Sequence, residues 1–249
     1  MSSIDANLEQ GDYERGKNHI IDNLGLLFQS SEHGNWIMKA GQIVRLSETV
    51  KKYNPKHILE LGTGIGCSTA VLAFSSEASI YTVEQNQKCI DIAEKLIPVT
   101  LQERIYFRKA TPRVFIAPQV NPYVSWSCFE EFDVLKGGYD FILVDGPGPW
   151  MTKVEVGGKE WQTMAELPNG DVLNLLPKMS EGTIVYVDGR KMATSLYNRH
   201  LGNYLEYLEG DREYAIYRRT GKQLNQDYSN YENQDVSKDI LTKKGYFNE

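Results

Sequence analysis

Cysteine and histidine are scarce in this chain, which has three cysteines and four histidines among its 249 residues. Cys67, Cys89 and Cys128 show no CxxC spacing, so the sequence predicts neither a disulfide framework nor a zinc site. The histidines also lack the short, regular spacing of metal ligands. This scarcity is typical of a protein from a reducing compartment and argues against a metal site built from cysteine and histidine.

The chain also lacks long apolar runs and an excess of positive charge. No segment approaches the roughly 20 apolar residues that a helix needs to cross a bilayer, and the polar start at residues 1–18 has no apolar core of a signal peptide. The net charge of −6 gives no overall attraction to nucleic acid or to an anionic membrane. The sequence thus predicts a cytoplasmic protein without a membrane or nucleic-acid partner.

What the chain does contain is a regular alternation of short apolar strands and helices. The predicted elements are strands at 57–61, 79–84, 104–110, 139–146 and 182–189, and helices at 67–76 and 86–99. Such an alternation predicts an α/β fold whose parallel strands are covered by helices on both faces. Segments 203–209 and 213–219 flank a Gly-Asp-Arg turn and predict a closing antiparallel hairpin.

Three parts of the chain differ in composition. Residues 1–54 are predicted to form a polar segment and a helical cap, which ends at the Asn54-Pro55 pair. Residues 55–220 carry the alternating pattern and are the predicted core. Residues 221–249 are polar and lack apolar periodicity, which predicts a loose tail.

A glycine run, Gly62-Thr63-Gly64-Ile65-Gly66, follows the first predicted strand, and Glu60 precedes it by two residues. Glu84 ends the second strand 20 residues after Gly64, a distance typical of a carboxylate that binds a ribose. A dinucleotide loop has the form GxGxxG and faces a pyrophosphate. A carboxylate beside the run would repel a pyrophosphate and attract an ammonium or sulfonium group. The pattern therefore predicts an adenosine ligand with a positively charged amino-acid tail.

Three motifs in this order resemble those of the class I S-adenosylmethionine-dependent methyltransferases: LELGTGIGCSTAVLA, YTVEQNQKCIDIAEK and YDFILVDGPG. The resemblance covers roughly residues 55–190 and implies a Rossmann-like, mostly parallel seven-stranded sheet with an antiparallel last strand. It also implies S-adenosyl-L-methionine as the cofactor, with Glu84 on the ribose hydroxyls, Asp145 facing the cofactor, and Ala110 or Thr111 on the adenine side. The residues that it implies around the methionine end are Glu60, Gly62, Thr63, Gly64, Gly66 and Ser68.

Two aspartates, Asp145 and Asp188, end neighbouring parts of the predicted sheet and, with Arg190, are the predicted catalytic residues. The pair could bind a divalent cation such as Mg²⁺, which would lower the pKa of a substrate hydroxyl. The motifs resemble in particular small-molecule O-methyltransferases of the catechol and caffeoyl-CoA type, which have an asparagine where this chain has Gly189. Arg190 is the alternative cation, and it could pair with Asp188 or bind a carboxylate or phosphate of the substrate.

The leading hypothesis is methyl transfer to a small-molecule acceptor, at oxygen. The alternatives are an NAD(P)-dependent oxidoreductase and a non-catalytic relative that binds the cofactor. Nucleic-acid methylation is disfavoured, because Asp-Gly-Pro-Gly follows the fourth strand in place of the Asn/Asp-Pro-Pro-aromatic tetrad that stacks on a flipped base. Two insertions, 111–138 and 147–168, are predicted to shape the acceptor pocket, and a homodimer is left open.

Overall fold

A computed structural model of the chain describes residues 27–29, 34, 37–110, 113–117, 123–127, 138–146, 153–156, 159–162 and 168–224. For four short segments, residues 113–117, 123–127, 153–156 and 159–162, the structure describes the backbone only. Most of the predicted N-terminal segment and of the predicted tail lies outside the described residues, so the domain boundaries stay predictions. Among the described helices, none combines the length and apolar character that a membrane span requires.

The described residues form eleven β-strands, numbered here in chain order. They are β1 (His57–Leu61), β2 (Ser79–Glu84), β3 (Ile105–Lys109), β4 (Arg113–Ala117), β5 (Tyr123–Ser127), β6 (Phe141–Val144), β7 (Lys153–Val156), β8 (Lys159–Gln162), β9 (Ile184–Asp188), β10 (Leu205–Gly210) and β11 (Tyr214–Arg219). Seven of them build the central sheet in the order β10-β11-β9-β6-β1-β2-β3. Every neighbouring pair is parallel except the two that involve β11. The predicted seven-stranded sheet with an antiparallel last strand is therefore confirmed.

Helices connect the parallel strands, as the alternating sequence pattern predicts. The described α-helices are α1 (Ala40–Tyr53), α2 (Cys67–Ser75), α3 (Gln87–Leu96), α4 (Val99–Gln102), α5 (Asp171–Leu175) and α6 (Lys191–His200). The helix predicted at 86–99 ends at Leu96 as α3, and a separate short helix, α4, begins at Val99. The break arises because Pro98 disfavours a helical conformation at the residue before it, and Ile97 is extended. The predicted stop at Asn54 is confirmed as the left-handed C-cap of α1.

Buried apolar side chains cover both faces of the central sheet. All residues of β6 and β9 are buried, as expected for parallel strands that lie between two helical layers. Leu59 and Ile142 belong to the apolar cluster on one face, whereas their neighbours Ile58 and Leu143 belong to the cluster on the other. The two clusters fix the strands in register, since a shift by one residue would exchange the faces.

The strand order reverses at β1, which has β2 on one side and β6 on the other. In open α/β sheets, ligands bind beyond the carboxyl ends of the strands at such a reversal. The loops that leave β1 and β6 approach each other closely there. A Cβ atom added at Gly62 would lie 2.5 Å from the Cα of Gly146, and one added at Gly146 would lie 2.6 Å from the Cα of Gly62. The two glycines thus allow bare backbone to pack on bare backbone.

Each of the two insertions contains a short antiparallel hairpin outside the central sheet. In the first, β4 pairs with β5, and in the second, β7 pairs with β8. β4 also lies against β7. The sequence predicts no strands in either insertion, because strands of four or five residues are too short to show a clear polar and apolar alternation. Their predicted role in shaping an acceptor pocket stays a prediction.

The contact between the two loops can be tested with alanine substitutions. Gly146→Ala is expected to lower the free energy of unfolding by about 1–3 kcal/mol, because the added methyl group would force β1 and β6 apart. Gly41→Ala in α1 is the control, since no described atom lies within 4 Å of an added Cβ there. It is expected to raise the free energy of unfolding by about 0.5–1 kcal/mol. Urea unfolding measures both, and unchanged stability of Gly146→Ala would contradict the close contact.

Candidate active site

The glycine-rich loop at the carboxyl end of β1 uses its N–H groups inside the protein. The N–H groups of Gly62 and Thr63 donate to the carbonyl oxygen of Val83 at 3.0 and 3.2 Å. The N–H of Gly64 donates to Oε2 of Glu84 at 2.9 Å. A loop that binds a pyrophosphate directs such groups at the ligand instead. These three N–H groups are therefore not available to an anionic ligand.

The three glycines of the loop are needed for different reasons. Gly62 permits the contact with Gly146. Gly66 is the N-cap of α2 with a φ of 92°, and a Cβ atom there would lie 2.7 Å from the Cβ of Ala93 on α3. Gly64 has a φ of 51°, and no described atom lies within 4 Å of a Cβ added to it. Open space thus lies beside Gly64, which is the part of the loop that a ligand can approach.

Glu60 is fully buried, and its carboxylate lies between β1, β2 and the first turn of α2. Its Oε2 accepts hydrogen bonds from the hydroxyl of Thr69 at 2.5 Å and from that of Thr82 at 2.6 Å. Its Oε1 has no hydrogen-bond partner among the described residues. Burial raises the pKa of Glu60 from its ordinary value of 4.5 to about 7, and the hydroxyls of Ser68, Thr69 and Thr82 oppose that rise.

The position of Glu60 determines which charge a ligand can carry at this point. The N-terminus of a helix attracts anions, and in dinucleotide-binding proteins the pyrophosphate takes that place. Here the carboxylate of Glu60 lies at the first turn of α2 and accepts a hydrogen bond from the Thr69 hydroxyl. The ionised carboxylate would repel a further anion and attract a cation.

Glu84 ends β2 and anchors the glycine loop. Its two carboxylate oxygens accept hydrogen bonds from the N–H groups of Gly64 at 2.9 Å and Asn86 at 2.8 Å. Burial raises the pKa of Glu84, and its hydrogen bonds to the backbone oppose the rise. Each carboxylate oxygen can accept a further hydrogen bond, so Glu84 retains the capacity to accept from two ribose hydroxyls. The sequence pattern indicated the ribose contact but gave no sign of the anchoring role.

Asp145 follows β6 and is bound by Arg190. Nη2 of Arg190 donates to Oδ1 of Asp145 at 3.1 Å and also to the Asp145 carbonyl oxygen. Asp188, the last residue of β9, accepts a hydrogen bond from Nε2 of Gln42 at 3.1 Å. Burial and the charge of Asp188 raise the pKa of Asp145, while Arg190 opposes that rise. Burial likewise raises the pKa of Asp188 to about 6. The three predicted catalytic residues thus form one electrostatic group.

The described residues do not fit the predicted divalent cation at Asp145 and Asp188. In the described part of the chain, no three His, Cys, Asp or Glu residues are arranged to hold a metal ion. A guanidinium group is already bound to Asp145, and Mg²⁺ requires a nearly octahedral set of oxygen ligands. The alternative cation, Arg190, fits the geometry better, although its hydrogen-bond partner is Asp145 and not Asp188. The metal itself stays an untested prediction.

The remaining predicted residues lie around the same edge of the sheet. The hydroxyl of Thr63 lies 2.5 Å from that of Thr82 and extends the hydrogen-bond network of Glu60. Ser68 is buried in the first turn of α2, and Ala110 is buried directly after β3. Thr111 lies outside the described residues. The cofactor contacts that the family resemblance implies for these residues stay predictions.

Four polar residues of the site were not anticipated from the sequence: Gln42, Thr69, Thr82 and Asn169. The first three contact predicted carboxylates, and Asn169 donates from Nδ2 to the carbonyl oxygen of Gly146 at 3.4 Å. A sequence signal existed for Asn169, because Asn-Gly-Asp directly before an apolar run is typical of a helix start. The other three lie within helices or strands and show no local signal.

Comparisons of sequence place the chain near known methyltransferases over part of its length. No family model matches the chain. A protein-L-isoaspartate O-methyltransferase from Aeromonas hydrophila is 31% identical over 112 residues, which are 45% of this chain and 46% of that relative. A protein of the same name from Xylella fastidiosa is 40% identical over 63 residues, which are 25% of this chain and 28% of the relative. The matches thus span less than half the length of these curated relatives.

Comparisons of structure cover most of the chain. An SAH-bound methyltransferase from Podospora anserina matches with a TM-score of 0.52 at 14% identity, over 88% of this chain and 97% of that one. A protein from Staphylococcus aureus, provisionally assigned as a caffeoyl-CoA O-methyltransferase, matches with a TM-score of 0.51 at 16% identity, over 86% and 98% of the two chains. The chain therefore has the fold of the class I S-adenosylmethionine-dependent methyltransferases. The resemblance predicted from the motifs is confirmed.

Burial of Glu60 predicts a stability that depends on pH. The pKa of about 7 in the folded protein exceeds the ordinary 4.5, so between these values the folded state holds a proton that the unfolded state has lost. Stability is then lost as pH rises through this window, by about 3 kcal/mol. Glu60→Gln, which does not titrate, should therefore gain stability relative to the wild type between pH 5 and pH 8.

Thermal or urea unfolding at the two pH values measures this gain. The exposed Glu94→Gln on α3 is the matched control, and its difference from the wild type should be the same at pH 5 and pH 8. A difference for Glu60→Gln that does not change with pH would show that the buried carboxyl does not titrate in this window.

Proposed function

We propose that this protein is an S-adenosylmethionine-dependent methyltransferase that methylates a small-molecule acceptor at oxygen. One observation carries the proposal. The N–H groups of Gly62, Thr63 and Gly64 are used within the protein, and the carboxylate of Glu60 lies at the start of α2. The site therefore favours an adenosine ligand with a cationic tail over a dinucleotide, which argues against the oxidoreductase alternative.

The described residues suggest how the cofactor would be held. Glu84 offers carboxylate lone pairs to the ribose hydroxyls, the open face of Gly64 receives the chain that follows the ribose, and Glu60 supplies negative charge near the cationic end. When bound, S-adenosylmethionine supplies an activated methyl group on a sulfonium. The protein's main contribution is to position the acceptor in line with that group.

An oxygen acceptor must also lose a proton, and Asp188 is the proposed base. Its pKa of about 6 suits a group that takes up a proton near neutral pH. Gln42 fixes the orientation of its carboxylate by donating to Oδ1 at 3.1 Å. Arg190, bound to Asp145, is placed to stabilise negative charge on the acceptor oxygen. No step in this mechanism uses a metal ion.

A protein carboxyl group is a second candidate acceptor, because the curated matches are protein-L-isoaspartate O-methyltransferases. The small-molecule acceptor is supported by the likeness to the protein assigned as a caffeoyl-CoA O-methyltransferase. The homodimer, the lack of a nucleic-acid partner and the cytoplasmic location stay predictions from the sequence.

Cofactor binding gives the first test. Isothermal titration calorimetry should detect S-adenosylmethionine and its demethylated product, S-adenosylhomocysteine, but not NADH. Glu84→Ala should weaken both by at least about tenfold, because it removes the acceptor for the ribose and the anchor of the loop. Glu94→Ala on the exposed face of α3 is the control and should bind as the wild type does. Binding of NADH alone would favour the oxidoreductase alternative, and cofactor binding without turnover on a broad acceptor panel would favour a non-catalytic relative.

The charge of Glu60 gives a second test, which separates the sulfonium from the rest of the cofactor. The preference for S-adenosylmethionine over its demethylated product should rise on the order of tenfold between pH 6 and pH 8, because Glu60 ionises with a pKa of about 7. In Glu60→Gln the preference for S-adenosylmethionine over S-adenosylhomocysteine should be small at both pH values. Competition titrations with the two ligands measure the ratio, and a wild-type preference that does not change with pH would show that Glu60 does not act on the sulfonium.

A further inference from the structure

A cavity of about 450 Å³ lies between α6 and the turn that connects β10 to β11. Most of the residues that line it belong neither to the proposed cofactor site nor to the proposed base. Six of the side chains that line it are hydrogen-bond donors: Arg190, Lys191, Thr194, Ser195, Asn198 and Arg212. Asp211 and Tyr214 complete its polar lining. Four of the six donors, at positions 191, 194, 195 and 198, recur at the spacing of one helix face. One wall of this open cavity is thus a row of hydrogen-bond donors on one side of α6, and the turn of the hairpin forms another wall.

The charge of this cavity is positive. Lys191 and Arg212 are exposed and form no ion pair among the described residues. The acidic residue of the lining, Asp211, accepts a hydrogen bond from the N–H of Glu213 at 2.6 Å and lies 3.9 Å from Nη2 of Arg45. The guanidinium of Arg45 also lies 3.7 Å from the carboxylate of Glu213, so it is shared by two acidic residues and compensates the charge of Asp211 only in part. The N-terminal end of α6 adds a partial positive charge on the same side.

The uncharged lining residues are also donors. Thr194 and Ser195 contribute hydroxyl groups, which can donate to an anion. The Asn198 side chain accepts a hydrogen bond at Oδ1 from the hydroxyl of Tyr217 at 2.9 Å, so its Nδ2 is left to donate. Two cations, two hydroxyls and an amide N–H₂ around one space are the groups that bind a carboxylate or phosphate.

The cavity adjoins the proposed reaction centre. Tyr214, part of its lining, pairs in register with Asp188 at the carboxyl edge of the sheet. Arg190 forms part of the lining and also holds Asp145 through its Nη2 atom. An acceptor with one end in this cavity would therefore reach the two aspartates at its other end.

We infer that this cavity binds an oxyanion group, a carboxylate or a phosphate, at the end of the acceptor remote from the methylated atom. The identification of the ligand as the methyl acceptor rests on the proposed function, but the oxyanion site itself does not depend on methyl transfer. Lys191 and Arg212 supply the charge, and Thr194, Ser195 and Asn198 supply neutral donors. A neutral acceptor of the same size would form no charge-assisted hydrogen bond with Lys191 or Arg212.

The test uses three small aromatic probes with the S-adenosylhomocysteine-loaded protein: benzoate, phenyl phosphate and benzyl alcohol. Ligand-observed NMR titrations should show binding of the two anions and little binding of the neutral alcohol. The double variant Lys191→Gln/Arg212→Gln should weaken the anions by at least about tenfold, and added salt should weaken them in the wild type. Lys95→Gln, on the exposed surface of α3, is the control and should bind all probes as the wild type does.

The outcomes separate the two proposals. Stronger binding of benzoate would identify the oxyanion as a carboxylate, and stronger binding of phenyl phosphate would identify it as a phosphate. Equal binding of benzyl alcohol, no binding of either anion, or unchanged anion binding by the double variant would overturn the inference. Calorimetry with S-adenosylhomocysteine is run on each variant. Anion binding without cofactor binding would uphold the cavity and reject the proposed function, whereas the reverse result would reject the cavity alone.

Discussion

Burial of the Glu60 carboxylate between two strands and a helix start is the interaction on which the organisation of this edge depends. A carboxylate removed from water is costly unless hydrogen-bond donors surround it, and the hydroxyls of Thr69 and Thr82 provide that compensation on one oxygen only. The other oxygen has no partner among the described residues. The protein thus maintains an incompletely compensated acid beside its glycine loop, an arrangement that a positively charged ligand would complete.

The glycine loop and Glu84 are shaped by the same constraint. The N–H groups of Gly62, Thr63 and Gly64 are bound to Val83 and Glu84, so the protein itself holds the loop against β2. A site that is formed in advance loses less conformational freedom when the ligand binds. In the proposed complex, Glu84 would bind two partners at once, the backbone of the loop and the hydroxyls of a sugar.

The parts of this structure that local sequence determines could be predicted well. The bounds of β1 and β2 agree with the predicted 57–61 and 79–84, because an apolar run ended by glycine or glutamate marks the carboxyl end of a buried strand. Contacts between distant segments could not be predicted in this way. Gln42 and Asp188 are 146 residues apart, and their hydrogen bond depends on how α1 packs against the sheet. The hairpins of the insertions were missed because their strands are too short to show a pattern.

The direct backbone contact between Gly62 and Gly146 has a consequence for how two ligands could arrive. One glycine belongs to the loop that faces the proposed cofactor, and the other directly follows Asp145. With no side chain between them to take up a displacement, a shift of either loop is passed to the other. The two loops are therefore expected to move as one unit, so that a ligand bound at either loop would favour the binding of its partner at the other.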